Sequence, residues 1–372
     1  MATVPNRHVY AVIMAGGPAK ALWPAARKNR PVHCLDLFHE GIMIRMILDC
    51  IASVVPIDRV FVITSKEGRE CLHSACSEIR TDNILVEPVA RNTAYCIALA
   101  TAYIKKRDPD AITVVLPSDH HVGDRENFAA VLRAGIGVAA EKQGLVTIGV
   151  SPAYAETSYG YIQADEPFPL DHPGHPGVGF SLYRVKTFAE KPDYATAVQF
   201  LESRDFFWNS GIFIWHVDDI WHEFERSMPD LYKDLLAIYE HLGTEGESDI
   251  IEDVYSWAHP VSIDCGIMEK ADSVFMIEGE FGWTDLVNWD EVSRVAAGIA
   301  AFEESCELDV LRMKSAGTFV RKPEGKVVCL IGADDLIVID TGDALLICGK
   351  GESARVPEAV DQLRRENREE LL

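Results

Sequence analysis

The sequence predicts a doubly wound α/β domain built on a mostly parallel sheet, followed by a small β-rich, solenoid-like domain. Three observations carry that expectation. Between residue 8 and about residue 150, short β-branched runs alternate with longer amphipathic stretches, and alternating β and α units build a mostly parallel sheet covered on both faces. After Arg312 the pattern changes to short apolar runs separated by Gly and Asp turns. A chain of 372 residues also exceeds the roughly 250 to 300 at which single cores stop growing, so two domains are expected, at 1–300 and 301–372.

Along the first domain, apolar, β-branched runs place strands at 8–14, 59–64, 83–86, 112–116 and 145–148. Helix-length amphipathic spacing places helices between them at 42–54, 67–79, 92–106 and 126–141. Residues 151–300 are less regular, and the Pro/Gly/His-rich stretch 167–179 reads as an exposed insertion. In the second domain 327–331, 336–340 and 344–348 read as strands and 357–371 as a closing amphipathic helix. Gly135-Ile-Gly137-Val-Ala-Ala140 matches a dinucleotide fingerprint, but it falls inside a helical pattern instead of at a strand-to-helix turn and reads as chance.

Composition narrows the function classes. With 48% hydrophobic and 25% charged residues the chain is an ordinary globular one. Its net charge of −23 and the lack of a long Lys/Arg run exclude nucleic acid as an expected partner, and an anionic substrate would need a locally placed cation or metal. The apolar stretch 9–15 is too short for a signal peptide or a membrane span, so a cytoplasmic protein without membrane attachment is expected. Nine scattered cysteines without zinc-like spacing read as buried reduced thiols.

In sheets of this kind ligands sit beyond the carboxyl ends of the strands. Three loops there are chemically loaded. The first strand ends in Ala15-Gly16-Gly17-Pro18, whose glycines let backbone approach a phosphate, although a simple turn uses the same residues. The third ends in Glu87-Pro88 followed by Arg91-Asn92-Thr93, and the fourth in Leu116-Pro117-Ser118-Asp119-His120.

The run Met14-Ala15-Gly16-Gly17-Pro18-Ala19-Lys20-Ala21-Leu22-Trp23-Pro24 resembles the sugar nucleotidyltransferase signature G-G-x-G-T-R-L-W-P, with its P-K-Q continued here as Pro31-Val32-His33. Further blocks follow in order: Tyr159-Gly160-Tyr161-Ile162, Glu190-Lys191-Pro192, Trp208-Asn209-Ser210-Gly211, Ser262-Ile263-Asp264 and Trp283-Thr284-Asp285. Together they resemble the mannose-1-phosphate guanylyltransferase family over nearly the whole chain, which implies a Rossmann-like nucleotidyltransferase domain. The resemblance implies Mg²⁺ on Asp119 and Asp285. It implies nucleotide contacts from Ala15, Gly16, Gly17, Glu87, Asn92, Thr93, Ser118 and Asp119, and sugar-phosphate contacts from Gly160, Glu190, Lys191, Asn209 and Asp264. GTP, mannose 1-phosphate and GDP-mannose are the small molecules implied, with a homodimer as the expected assembly.

The signature is degenerate. Ala19, Lys20 and Ala21 stand where it has Gly, Thr and Arg, and Val32 stands where P-K-Q has Lys. Pro18 further removes a backbone N–H from a loop that should face phosphate. Lys20 and Arg27 are the nearest replacement cations and join Asp119 and Asp285 as candidate catalytic residues. Two functions are therefore expected as alternatives: a guanylyltransferase making GDP-mannose with reduced or lost activity, or a non-catalytic homologue that binds a nucleotide or nucleotide sugar as a regulatory or partner subunit.

Overall fold

The computed structural model describes residues 8–17, 20–170, 179–299 and 308–372, without side chains at 168–170. Pro18 and Ala19 of the signature, and most of the 167–179 insertion, lie outside them. The first half alternates β1 (Val9–Ala15), α1 (Met43–Ile51), β2 (Val60–Thr64), α2 (Lys66–Ala75), β3 (Ile84–Val86), α3 (Asn92–Arg107), β4 (Ile112–Pro117), a short β5 (His120–Val122), α4 (Arg125–Glu141) and β6 (Leu145–Val150). Every element expected there forms, with ends shifted by a few residues. Strands β3, β2, β1 and β4 are parallel neighbours, so their carboxyl ends and loaded loops share one sheet edge.

Alternation along β1 builds the layers. Val9, Ala11 and Ile13 pack with α1 and α4 on one face, while Tyr10 and Val12 pack with α3 on the other. In α4 a Cβ at Gly135 would lie 2.4 Å from Ile214 Cδ1, so this glycine serves close helix–sheet packing, and the fingerprint-like string lies inside a helix as its sequence pattern indicates.

The stretch 151–300 is more regular than its sequence pattern. It contributes β7 (Tyr161–Ala164), β8 (Phe168–Leu170), β9 (Phe180–Ala189), α5 (Tyr194–Ser203), β10 (Phe206–His216), α6 (Val217–Ser227), α7 (Pro229–His241), α8 (Glu247–Trp257), β11 (Val274–Glu278), β12 (Trp283–Asp285) and α9 (Trp289–Ala296). β10 enters the sheet between β4 and β6, antiparallel to both, so the sheet is parallel at one end and mixed at the other. A register shift between Asn209 and Phe213 interrupts the two-residue alternation of β10 and hides it from pattern reading.

The C-terminal part holds β13 (Val310–Met313), β14 (Phe319–Arg321), β15 (Val328–Ile331), β16 (Leu336–Asp340), β17 (Leu345–Gly349) and α10 (Val356–Arg365). β13 pairs with β15 and β14 with β16 in parallel, the coil-on-coil pairing of a β-solenoid, and β17 closes antiparallel on β16. The closing helix is shorter than expected, ending at Arg365. Ile337, Ile339, Val356 and Val360 share a core with Leu22, Trp23 and Trp289, which fastens this part onto the signature segment.

The cysteine expectation needs correction. Cys34 and Cys71 form a disulfide with a Cα–Cα distance of 6.3 Å, because the turn Val32–Cys34 packs against α2. Cys50, Cys76 and Cys96 are free and buried, as expected, whereas Cys265 and Cys329 are free and exposed. Among the described residues no helix is long and apolar enough to cross a membrane.

Candidate active site

Asp119 and Asp285 are 166 positions apart in the sequence and are brought together by a small ribbon. β5 follows Asp119 directly and pairs antiparallel with β12, setting Asp285 opposite His120, while Leu286 N–H donates to the Asp119 carbonyl over 3.3 Å. One ligand atom each from Asp119, His120 and Asp285 then lies within 4.8 Å of the others. Burial raises the pKa of both carboxyls, and the Asp119 charge pushes Asp285 higher still, against a smaller lowering by Lys191. Two carboxylates this close hold either a shared proton or a cation, and a pair of hard oxygen donors suits a hard divalent ion.

The tautomer of His120 is set by Trp283. Trp283 Nε1–H donates to His120 Nδ1 over 3.1 Å, so Nδ1 carries no proton, and burial lowers the ring pKa to about 3, keeping it neutral. The proton therefore sits on Nε2, which faces Asp285 Oδ1 at 3.7 Å. His120 thus stands as a neutral ring beside the carboxylate pair, beyond hydrogen-bond reach of Asp285.

Beside the pair, Gly160, Glu190, Asn209 and Asp264 converge. Asn209 Nδ2 donates to Asp264 Oδ1 over 2.8 Å, and Asn209 N–H donates to the Gly160 carbonyl over 2.8 Å. A Cβ at Gly160 would stand 2.9 Å from Glu190 Oε2, so a larger residue would push the Glu190 side chain aside. Asp264 opens a π-helical turn, Asp264–Met268, and burial lifts its carboxyl to about 6. Lys191 extends from a left-handed backbone (φ 43°), a conformation uncommon outside glycine, and its Nζ lies 3.4 Å from Glu190 Oε1.

The nucleotide-loop residues meet at the same edge. Gly17 has φ 107°, and a Cβ at Gly16 would lie 3.3 Å from Glu87 Oε2, so the glycine loop lies directly against this carboxyl. Ala15 is held by Thr64 Oγ1, which donates to its carbonyl over 2.8 Å, and Ser118 N–H donates to the Met14 carbonyl over 3.1 Å. Asn92 sits at φ 65° and accepts from Thr93 N–H, while Thr93 Oγ1 accepts from Ile263 N–H over 2.8 Å, which ties the start of α3 to the Asp264 turn.

Glu87 accepts from Tyr255 Oη over 3.1 Å, and burial still raises it from 4.5 to about 7. A carboxyl whose folded pKa lies above its unfolded one binds extra protons in the fold, so its contribution is full below pH 4.5 and is lost as pH rises through 7. Glu87→Gln should therefore stabilise the protein at pH 8 by on the order of 3 kcal/mol and by little at pH 4, measured as urea unfolding at both values. Equal effects at the two pH values would mean that folding leaves the carboxyl pKa where it is in the unfolded chain.

Lys20 and Arg27, expected as replacement cations, are engaged by the C-terminal part. Lys20 Nζ donates to Asp361 Oδ1 over 2.7 Å. Arg27 makes a two-pronged pair with Asp343 at 2.6 and 2.9 Å and also reaches Thr341 Oγ1. Trp23 Nε1 donates to the Leu371 carbonyl and Trp289 Nε1 to the Trp23 carbonyl, both over 2.8 Å. These contacts explain the two side chains structurally.

Sequence reading missed His120 and Tyr255 as site residues. His120 stands in the Leu116–His120 block, and that adjacency was its signal; Tyr255, buried in α8, carries none.

A glycine loop, a carboxylate pair and a polar cluster at the carboxyl edge of a doubly wound sheet define a nucleotidyl transferase. The family model described as nucleotidyl transferase matches residues 10–301, and one described as a MannoseP isomerase/GMP-like beta-helix domain matches 309–363. Mannose-1-phosphate guanylyltransferase of Klebsiella pneumoniae is 30% identical over 96% of this chain and 74% of its own length, and alginate biosynthesis protein AlgA of Pseudomonas fluorescens is 30% identical over 96% and 72%. A Thermus thermophilus crystal structure, described as mannose-1-phosphate geranyltransferase, superposes with a TM-score of 0.81 at 29% identity over 96% of this chain and 99% of that one. The chain belongs to the mannose-1-phosphate guanylyltransferase family of nucleotidyl transferases.

Proposed function

We propose that the protein transfers a guanylyl group from GTP to mannose 1-phosphate, giving GDP-mannose and pyrophosphate. The observation that carries this reading is the carboxylate pair Asp119–Asp285, with ligand atoms within 4.8 Å, set beside the Asn209–Asp264–Glu190 cluster. A phosphate oxygen of the sugar phosphate bonds to the α-phosphorus as the bond from that phosphorus to the bridging oxygen breaks, and pyrophosphate leaves with the electron pair. The attacking oxygen is already anionic, so no general base is needed. Mg²⁺ held by Asp119 and Asp285 would supply the charge neutralisation that two polyanions need at close range.

The residues divide the remaining work. Gly16 and Gly17 let backbone approach the phosphates, and Asn92, Thr93, Ser118 and Ala15 shape the nucleotide side. A Glu87 carboxylate suits the N–H edge of guanine. Gly160, Asn209 and Asp264 hold the sugar hydroxyls, Glu190 orients Lys191, and Lys191 meets the sugar phosphate.

The engagement of Lys20 and Arg27 favours the second reading, a nucleotide-sugar-binding homologue with little turnover, because it adds to the loss of cations at Ala21 and Val32. Pyrophosphate release with GTP, mannose 1-phosphate and Mg²⁺ decides between them. Rates of roughly 1 to 10³ s⁻¹ would mark an ordinary enzyme, whereas GDP-mannose binding by calorimetry without release would mark the binding homologue.

A homodimer belongs to the same proposal. Leu311, Met313 and Ile331 are 58%, 58% and 67% exposed on one face of the β13–β15 pair, where Met313 stands opposite Ile331. Such a face is expected to be covered. Met313→Glu with Ile331→Glu should convert a dimer to a monomer by light scattering, and a wild-type monomer would sink the idea.

A further inference from the structure

We propose that the cavity along the open edge of β3 is a second ligand site, shaped for a phosphorylated nucleoside and separate from the carboxylate pair. β3 is the last strand of the sheet and, among the described residues, pairs only with β2. Over its outer edge lies a cavity of about 1080 Å³, at the upper end of the size range of small-molecule sites. Leu85, Leu99, Ile251 and Tyr103 give it an apolar, partly aromatic wall.

Its charged lining is unusual for so acidic a chain. Lys66 and Arg69 enter from α2, and Lys106 and Arg107 from α3. None of the four makes an ion pair among the described residues. Lys106 Nζ donates to the Tyr239 carbonyl over 3.1 Å, Arg107 Nη1 to Asn83 Oδ1 over 2.8 Å, and Arg69 Nε to His73 Nε2 over 3.3 Å. Lys66 has no hydrogen-bond partner among the described residues. Three acids of the lining are already engaged: Glu247 by Tyr103 Oη and Gly243 N–H, Glu87 by Tyr255 Oη, and Asp82 by Arg80. Only Asp82 is paired with a cation, so Glu247 and Glu252 oppose four cations without ion-pair partners, of which Lys106 lies over the Tyr239 ring and Arg107 over the Phe61 ring, and positive charge remains in excess.

Helix electrostatics separates the two pairs. Lys106 and Arg107 close α3, where the helix dipole favours cations, and need no further explanation. Lys66 and Arg69 lie in the first turn of α2, where the dipole opposes them. Their presence there, facing the first pair across an apolar wall, is accounted for by an anion between them. The wall and the volume favour a ligand with a flat apolar portion over bare phosphate.

The site is distinct from the nucleotide loop. Asn92 and Arg107 are 15 residues apart on α3, a rise of about 22 Å, more than one mononucleotide spans. Glu87 and Pro88 close the near end of the cavity, so the two sites share a wall.

Equilibrium dialysis of GMP against the full chain in EDTA tests this. We expect metal-independent binding that Lys66→Ser with Lys106→Ser weakens at least tenfold and that Asp285→Asn leaves within twofold. Both lysines are exposed, so the variant should keep the wild-type melting temperature. Absent GMP binding, equal binding by the double variant, or displacement by inorganic phosphate mole for mole would overturn the proposal. Pyrophosphate release by the same preparations reports on the carboxylate site alone, so either reading can fail without the other.

Discussion

Asp285→Asn should lower pyrophosphate release by at least about 10²- to 10³-fold while raising the thermal stability of the metal-free protein. The two effects share one cause. Burial and the neighbouring Asp119 charge both push the Asp285 carboxyl up, so without a cation the pair must take up a proton or bear repulsion, and either costs stability at neutral pH. Removing one carboxyl relieves that cost and also removes half of the proposed ion-binding donor set. The stabilisation that Mg²⁺ gives the wild type through linkage should then disappear. Melting curves with and without Mg²⁺ check this beside the rate assay. A Mg²⁺-dependent rise in the variant equal to that of the wild type would place the ion elsewhere.

Restoring the signature should work in the opposite direction. Ala21→Arg with Val32→Lys is expected to raise kcat/KM for pyrophosphate release by about 10² or more, because each returns a cation to the phosphate loop. Both positions are half-buried, Ala21 in the turn Lys20–Leu22 and Val32 in Val32–Cys34, where it packs against the core of Leu35 and Leu37. Lys20 and Arg27 cannot do this work in the observed arrangement, because they are paired with Asp361 and Asp343. A double variant no faster than the wild type would mean that the degenerate loop is not what limits turnover.

The parts legible in the sequence were those whose cause is local. Each βα unit up to residue 150 buries its own apolar pattern, so five strands and four helices were readable with only their ends displaced. The identities of Asp119 and Asp285 came from ordered blocks, not from spacing, since nothing local announces that residues 166 apart will meet. What sequence reading missed depends on distant contacts. The clasp between Lys20 and Asp361 joins positions 341 apart, and the Trp23–Leu371 bond spans 348. The Cys34–Cys71 bridge spans 37 residues without a motif. β10 escaped because its register shift falls beside Asn209, where the strand also serves the site.

The two-stranded ribbon that seats the carboxylates also restricts how this chain can change in length. Side chains in a strand alternate sides with every residue, so one added or deleted residue between Trp283 and Asp285 would turn the Asp285 carboxyl to the opposite face of β12. The same single-residue change before His120 would detach Asp119 from its partner. Paired insertions of two residues would restore the facing but displace the carboxyl by roughly 6.6 Å along the strand, beyond the reach of a shared ion. Length variation among homologues that keep this chemistry should accordingly be absent from both strands of the ribbon and confined to stretches such as 167–179, which carry no site residue.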